Sequence, residues 1–327
     1  MMKRPVGIAL MTAASMTGII GFEQKCFAYN STLDNTMLEW TEGQNAQIFN
    51  DEFLETPSYF RNDSTAAEIG WSDTIGRVRL TDTGNYSPTV AFEAFYMNLN
   101  SHSPLLPRQL NDQSVAVGTP IGQFGDWGVA VAVGAGYAGN SPYNDSNAVY
   151  ALAQITALDH LTADDQIYVS VDYDGNRDYL PDAPLPSVEY THTGKSFQWT
   201  VGLPYESFQW QATSQLQISG EYDPVTDGFA DVDYALLQWL HIYSRFESDS
   251  WFFHLSNYSP DQRFYMSLCR VEGGFRINTF NQHLSVQLSG GYAFNQEVGQ
   301  GYDYRDERNF GQIANAPYAE MQFQFNF

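Results

Sequence analysis

Apolar residues recur at every second position in a series of short runs from about residue 77 to the carboxyl end. The clearest internal run is 127–138, in which Val and Tyr alternate with Gly and Ala. The last eleven residues, PYAEMQFQFNF, alternate in the same way. Because successive side chains of a strand point to opposite faces, each run predicts a β-strand with one apolar face and one polar or small-residue face.

The terminal run is the strongest of these signals. It places five apolar side chains on one face: Ala319, Met321, Phe323, Phe325 and Phe327. In water such a face would promote aggregation unless another layer covered it, which leaves the edge strand of a secreted β-sandwich as one interpretation. In a bilayer the same face would contact lipid while the polar face lined a lumen.

The spacing of the runs favours the bilayer interpretation. Strands of barrel length, separated by turn-rich segments such as 139–147, 174–184 and 295–316, are typical of transmembrane barrels. The predicted fold is therefore all-β, a transmembrane antiparallel up-and-down β-barrel. We predict about 12 strands, within a range of roughly 10 to 14, and an even number is expected. Residues 148–158 fit either a strand or a short helix.

The amino-terminal segment has the order of a secretory signal. Lys3 and Arg4 precede an uncharged, largely apolar run over 6–22, and a short polar stretch and Cys26-Phe27-Ala28 follow. This predicts a cleavable signal peptide over 1–28, since the apolar run is short for a membrane anchor of about 20 residues. Residues 29–72 are polar and irregular, and we predict a periplasmic extension or a plug there. The barrel is then expected over 73–327.

The charge is strongly acidic, with a net charge of -23 from 38 acidic and 15 basic residues. Lys195 is the only lysine beyond residue 28. Such a chain repels nucleic acid, so we expect no nucleic-acid partner. An acidic lumen would favour cations, although acidic loops that merely keep the protein soluble explain the same charge. Without Cys26, Cys269 has no partner for a disulfide.

One loop carries the oxygen ligands that Ca²⁺ prefers. Asp172, Asp174, Asn176 and Asp178 alternate around a glycine, as in calcium-binding turns. Arg177 interrupts the series, and Asp-Gly-Asn also occurs in ordinary hairpin turns. A calcium site and a plain turn both remain open, and no other cofactor is predicted.

Polar residues on the inward faces mark the predicted lumen. The candidates are Gln198, Thr200, Gln215, Gln217, Ser219 and Gln287. They fit a hydrated path for small solutes or a closed, hydrogen-bonded interior. His160 and His254 are the best candidates for part of a hydrolase site, but neither stands in a recognisable nucleophile or base context. We therefore predict no enzyme and no catalytic residue.

Two resemblances place the chain among known families. The terminal strand resembles the last strand of bacterial outer-membrane β-barrels, which the barrel-assembly machinery recognises. The stretch 179–222, with Leu185-Pro186 before one strand and Gly202-Leu203-Pro204 at the end of the next, is similar to an uncharacterised family of outer-membrane β-barrels classed as a domain of unknown function. That similarity extends loosely over 86–327, and the family implies no functional residues.

The resemblances imply a location in the outer membrane of a Gram-negative bacterium. Outer-membrane lipid, lipopolysaccharide and, during biogenesis, the assembly machinery would be the partners. The first functional hypothesis is a porin-like channel for small solutes, with a preference for cations. The alternative is a non-transporting surface or structural barrel whose acidic loops bind divalent cations, lipopolysaccharide or another cell. The sequence leaves the oligomeric state open.

Overall fold

The computed structural model describes residues 31–38, 40, 43–81, 87–223, 227–279 and 283–327. The predicted signal peptide over 1–28 lies outside these residues. The described chain contains one α-helix, one 3₁₀ helix (Ser146–Ala148) and nineteen strands. Their bounds are α1 (Ser31–Met37), β1 (Ala46–Glu55), β2 (Ser58–Phe60), β3 (Thr65–Ala67), β4 (Ile69–Arg79), β5 (Thr89–Leu99), β6 (Gln109–Phe124), β7 (Trp127–Gly139), β8 (Val149–His160), β9 (Asp165–Asp174), β10 (Leu185–Thr193), β11 (Phe197–Leu203), β12 (Glu206–Gln211), β13 (Leu216–Tyr222), β14 (Gly228–Leu237), β15 (Leu240–Phe253), β16 (Arg263–Asn278), β17 (Leu284–Gly301), β18 (Arg308–Ile313) and β19 (Ala316–Asn326).

Sixteen of these strands close into one antiparallel barrel. Each barrel strand pairs with its neighbours in chain order, and β1 pairs with both β4 and β19, which completes the ring. The short strands β2, β3 and β18 lie in the connections and pair beside the barrel rim. Closure leaves no strand of the ring with unpaired backbone groups along a whole edge. The all-β barrel prediction is confirmed, and the predicted number of about 12 strands is wrong.

The two ends of the barrel differ. At the end where β1 begins and β19 finishes, called here the turn end, the connections are short, for example 125–126, 194–196 and 238–239. At the opposite end, called the loop end, the chain makes longer excursions at 100–108, 140–148, 175–184 and 254–262. This asymmetry is typical of outer-membrane barrels.

The outer wall is apolar over most of the ring. On β19, Met321, Phe325 and Phe327 are exposed, whereas Glu320 and Gln322 are buried in the interior. The same outward orientation holds for large side chains around the barrel, among them Val117, Val133, Ile155, Val171, Val201, Phe208, Trp210, Val232, Phe246, Val271, Phe275 and Leu288. Among the described residues, no helix is both long enough and apolar enough to cross a bilayer.

The strand count differs from the prediction for identifiable reasons. The stretch 232–246, which reads as one run in the sequence, contains parts of two strands, β14 and β15, joined by a tight turn at 238–239. The strand β12 was not predicted, and 148–158 is a strand. Residues 29–72, predicted as an extension or plug, contain β1, the β2–β3 hairpin and the first part of β4. The first barrel strand thus begins at Ala46, well before residue 73.

The helix α1 lies inside the barrel, near the turn end. Its Leu33 packs in a small apolar cluster with Ala116, Ala132 and Leu152 from three strands of the wall. A helix of this length is marginal by itself in water, so tertiary packing must hold it. Gly118 makes room for it, because a Cβ at that position would lie 2.3 Å from the Thr36 hydroxyl oxygen.

Polar contacts add to this packing. The Thr32 hydroxyl donates to Glu93, 3.1 Å away, and contacts the Ser114 hydroxyl. Beyond the helix, the Trp40 indole donates to the Thr89 hydroxyl, and the Arg77 guanidinium lies 4.3 Å from the Trp40 ring. The segment 31–40 therefore fills part of the lumen at the turn end.

Candidate functional site

The strand register stacks the inward side chains of β1, β4, β5 and β6 into tiers. Next to the loop end, Phe53 faces Trp71, Trp71 faces Met97 and Met97 faces Leu110. These four residues form the apolar tier, and all of them are buried. Because side chains on one face recur every second residue, the tier below lies two residues along each strand.

That next tier is acidic. Asp51 of β1 faces Asp73 of β4, Asp73 faces Phe95 of β5, and Phe95 faces Asp112 of β6. We call Asp51, Asp73 and Asp112 the acidic tier. Glu93 lies on the same face of β5, one tier closer to the turn end. Four neighbouring strands thus present four carboxylates to one side of the lumen.

A cavity of about 220 Å³ borders the acidic tier. It extends from aromatic side chains at the loop end down to Gln47 on β1 and Asn35 on α1. Among the described residues that line it are nine carboxylates and four guanidinium groups. The carboxylates are Asp51, Asp73, Glu93, Asp112, Asp174, Asp178, Asp227, Glu247 and Asp249, and the guanidinium groups belong to Arg77, Arg177, Arg245 and Arg270. The cavity is therefore strongly acidic.

Two of these arginines belong to a network on β15, β16 and β19 that we call the ionic wall: Arg245, Glu247, Asp249, Arg270 and Glu320. Arg270 contacts Glu247 at 2.7 Å, Asp249 at 3.0 Å and Glu320 at 3.3 Å, and Arg245 contacts Glu247 at 2.6 Å. These pairs neutralise one another at close range, which is the usual condition for keeping buried charges. Negative charge in excess of positive charge is therefore left on the acidic tier.

The carboxylates of the acidic tier have fewer donors. Asp112 accepts from the Tyr150 hydroxyl at 2.6 Å and from the Asn176 amide at 2.9 Å. Asp51 is only 8% exposed; its Oδ2 accepts from the Trp71 indole at 3.1 Å, while its Oδ1 has no donor among the described residues. The buried Oδ1 of Asp73 also has none. Unsatisfied buried oxygens of this kind are uncommon and call for an explanation.

An aromatic roof closes the cavity towards the loop end. The Trp251 ring lies 5.6 Å from the Trp71 ring and 5.7 Å from the Phe95 ring, and Phe253 lies 6.2 Å from Phe95. We call Trp71, Phe95, Trp251 and Phe253 the aromatic roof. Two of its members come from the end of β15, which bends across the lumen to β7. It covers part of the cavity, and Asn176, Arg177 and Asp178 of the 175–184 loop line the cavity beside it.

Backbone contacts hold the bent end of β15 in place. The His254 N–H donates to the Ala138 carbonyl at 3.0 Å, and the Ser256 N–H donates to the Asn140 side chain at 3.2 Å. His254 follows β15 in the loop, where burial and the neighbouring Arg263 guanidinium lower the pKa of its imidazole. The neutral imidazole is therefore favoured while the loop is docked.

Arg263 ties three loops together at the same end. Its guanidinium donates to the backbone carbonyls of Asn176, Arg177 and Tyr302, at 2.9, 2.8 and 2.7 Å. It also lies 4.6 Å from the Phe252 ring. The side chain is almost completely buried, so its hydrogen bonds link the 175–184 loop and the connection after β17 to the start of β16.

The six predicted lumen residues lie elsewhere. Thr200 is buried and its hydroxyl lies 2.8 Å from that of Thr191, while Gln287 bridges Arg276 and Gln322 in the interior. Gln217 and Ser219 are half-buried, and Gln198 and Gln215 are exposed near the turn end. None of the six is among the described residues that line the cavity.

The predicted metal ligands form a turn at the cavity rim. Asp172 pairs with Arg177, the Asn176 N–H donates to Asp174 Oδ1 at 2.8 Å, and the Asp178 carbonyl accepts from the Tyr304 N–H. In the described part of the chain, no group of three or more His, Cys, Asp or Glu side chains has an arrangement that could hold a metal ion. Calcium binding here stays a prediction, but Asp174, Asn176 and Asp178 do line the cavity.

The predicted assembly residues share the outer face of β19. Met321, Phe325 and Phe327 are exposed there, and the Phe325 and Phe327 rings are stacked 6.1 Å apart. His160 ends β8 at the turn end and His254 lies at the loop end, so the structure does not bring these two histidines together.

Sequence reasoning missed the acidic tier. The available signal was a single carboxylate on the inward face of each predicted strand, such as Asp112 on β6. Aligning these carboxylates requires the register between strands, which the sequence pattern does not specify.

No protein-family model and no curated protein matches the chain. Solved structures similar to it include the Acinetobacter baumannii outer membrane protein Omp33, at 11% identity over 89% of this chain and 99% of that chain, with a TM-score of 0.36. Others are a Pseudomonas aeruginosa FadL homologue (10% identity, 92% and 93% coverage, TM-score 0.38) and the Pseudomonas putida toluene transporter TodX (7%, 92% and 93%, TM-score 0.37). These similarities are remote and carry no inference about a solute of this chain.

Proposed function

We propose that the protein is an outer-membrane β-barrel that lets small polar solutes cross through its lumen, cations in preference to anions. The observation that carries the proposal is the acidic cavity inside the ring. Rings and clusters of carboxylates favour cations in channels because they replace part of the ion's hydration and repel anions. The apolar outer wall supports the membrane location, since the outward side chains of transmembrane barrels form an apolar band against lipid.

The described arrangement fits the closed form of such a channel. The aromatic roof and the 175–184 loop cover the cavity towards the loop end, and α1 occupies the lumen at the turn end. Passage therefore requires the bent end of β15 to leave β7, and α1 to shift from its cluster around Leu33. Export by the predicted signal peptide, and recognition of Phe323, Phe325 and Phe327 by the assembly machinery, belong to the same proposal.

The test is conductance in planar bilayers with the purified, folded protein. We expect single-channel openings. In a KCl gradient, we expect a reversal potential whose sign shows that K⁺ crosses more readily than Cl⁻. The double variant Asp73→Asn/Asp112→Asn should lose most of that preference, whereas Asp126→Asn, which removes an exposed carboxylate from the 125–126 turn, should keep it. Absence of openings, even when Arg263→Ala releases the roof and Gly118→Val displaces α1, would contradict transport.

The second candidate is a non-transporting surface barrel. The observation that favours it is Arg263, whose buried hydrogen bonds fix three loops over the lumen. In that case the acidic loops would bind divalent cations, lipopolysaccharide or another cell. Calcium-dependent adhesion of cells that express the wild type, lost when the loop residues Asp178 and Asp182 are changed to Asn, would support it. Membership of the uncharacterised barrel family stays a prediction for either candidate.

A further inference from the structure

We propose that the cavity is a binding site for a small organic cation, with the ammonium group against the acidic tier and the apolar body against the aromatic roof. The inference rests on the proposed function, because it names the solute class that the lumen recognises. It starts from the strand register. Asp51 and Asp73 lie directly opposite each other, and like charges in that position destabilise a sheet.

The like charges have no sufficient compensation within the described chain. The charge of Arg270 reaches Asp51, but Arg270 is already paired with Glu247, Asp249 and Glu320, and the Glu320 carboxyl, which is hydrogen-bonded to Asp51, adds no positive charge. Asp73 has Glu93 and Asp112 as electrostatic neighbours. Burial of carboxylates without a counter-charge is costly, so an external cation would stabilise the tier.

The unpartnered oxygens point to a ligand that donates hydrogen bonds. The Asp51 side chain is more than nine-tenths buried, borders the cavity and has an Oδ1 without a donor. Asp73 is half-buried, and its buried Oδ1 likewise has no donor among the described residues. An ammonium group offers N–H donors together with positive charge, which satisfies both requirements at once.

The aromatic roof favours an organic cation over a metal ion as the ligand of the cavity. Metal ions need several oxygens converging at one point, and no such group occurs among the described residues. Aromatic ring faces attract ammonium ions and also pack against the apolar part of a ligand. Phe95, Trp251 and Phe253 provide those rings above the carboxylates. The Trp71 ring is already stacked on Phe53 and lies 5.0 Å from the Arg270 guanidinium, so it contributes apolar surface and no free ring face. The cavity of about 220 Å³ has room for a small organic molecule.

Isothermal titration calorimetry on the folded, detergent-solubilised full chain tests the inference. The probe is phenethylamine, which is protonated at pH 7, and its neutral counterpart is 2-phenylethanol. We expect saturable binding of phenethylamine and binding of the alcohol at least about tenfold weaker, because the alcohol cannot provide charge-assisted hydrogen bonds. Equal affinity for the two probes, or displacement of phenethylamine by equimolar CaCl₂, would overturn the proposal.

Substitutions in the acidic tier and in the aromatic roof test where phenethylamine binds. Asp73→Asn/Asp112→Asn should weaken phenethylamine binding about tenfold or more, and Trp251→Leu should weaken it several-fold through loss of a ring face. The matched control Asp126→Asn should bind as the wild type does. Heat-modifiable migration on a denaturing gel verifies that each variant is folded, and the comparison of the two probes needs only the wild type. Unchanged phenethylamine binding by the folded double variant would overturn the assignment of the binding site to the acidic tier.

Binding and conductance are measured separately. Phenethylamine binding without conductance would leave this inference standing and remove the channel. Conductance without phenethylamine binding would overturn this inference and keep the channel.

Discussion

Asp51 and Asp73 face each other across neighbouring strands, and neither forms a salt bridge with another described residue, although buried charges are normally paired. The ionic wall on β15, β16 and β19 follows the rule, since each of its guanidinium groups contacts a carboxylate. The difference indicates that the acidic tier serves binding and lowers the stability of the barrel, which is a common property of functional sites.

Replacing one of the two facing carboxylates should therefore stabilise the empty barrel. For Asp73→Asn we expect a higher temperature of conversion from the folded to the unfolded gel band, because a like-charge pair of about 0.2–1 kcal/mol is removed. The measurement is a temperature series on a denaturing gel without any amine. Asp126→Asn, which faces solvent, should not change the midpoint, and a lower midpoint for Asp73→Asn would show that the carboxylate stabilises the empty barrel.

His254 should make the roof sensitive to pH. Its pKa is lowered from the ordinary value of 6.5 by burial and by Arg263, with Asp145 and Asp182 acting in the opposite direction. The docked loop therefore gains stability from the neutral imidazole above about pH 6.5 and loses it as the pH falls through the lowered pKa. We expect channel openings to become more frequent on acidification in that range.

His254→Gln is the variant that tests this mechanism. It keeps a polar side chain that does not titrate, so the pH dependence of open probability should flatten. A pH dependence equal to that of the wild type would assign the effect to other groups.

At the scale of elements, alternation predicted strands wherever the outer face is apolar. It predicted the orientation of β7, β9 and β19 because lipid-facing and lumen-facing residues alternate there. It failed at β1, where the inward face carries Phe49 and Phe53 and the outward face carries Asn50 and Glu52. Phe53 belongs to the apolar tier and Phe49 lines the cavity, so polar and apolar residues are mixed on both faces of β1 and periodicity alone could not identify this strand.

The position of α1 could not be predicted either. Its sequence, STLDNTM, has a single acidic residue in the first turn and no long apolar face. It is helical because Ala116, Ala132 and Leu152 offer it a small apolar recess and Gly118 leaves space for Thr36. Such a recess exists only once the barrel has formed, which is why local propensity carries no signal for it.

Gly118→Val should displace α1. The new side chain would overlap the Thr36 hydroxyl, so the helix must leave its recess while the strand, which tolerates β-branched residues, remains paired. We expect larger or more frequent conductance steps. Gly128→Val is the matched control, since a Cβ there meets nothing closer than 3.9 Å, and its conductance should equal that of the wild type.

At the scale of the whole molecule, the ring depends on the pairing of β1 with β19. The sequence prediction placed the barrel within 73–327, which omits β1 and the first part of β4. A barrel without β1 would expose unpaired backbone edges to lipid, which membranes do not tolerate.

Two deletions separate the extension from the barrel. A chain that keeps 1–28 but lacks 29–42 should still give a faster-migrating band without boiling, because all sixteen barrel strands remain, and it should conduct more. A chain that lacks 29–72 should give no such band, since the ring cannot close. A heat-modifiable band from the second chain would show that strands after residue 72 close a smaller ring.

The seam between β1 and β19, the pairing that closes the ring, also bears on the order in which the strands pair during folding. The other seams of the ring join strands that are near neighbours along the chain and can form as hairpins or short excursions. The β1–β19 seam joins the two strands that are furthest apart in sequence, and pairings of that kind form slowly. Until it forms, the last strand has a free edge and β1 offers its carboxylates to water. The interval before this seam closes is therefore when the unfinished chain is most open to proteases, and its length depends on how fast two distant strands meet.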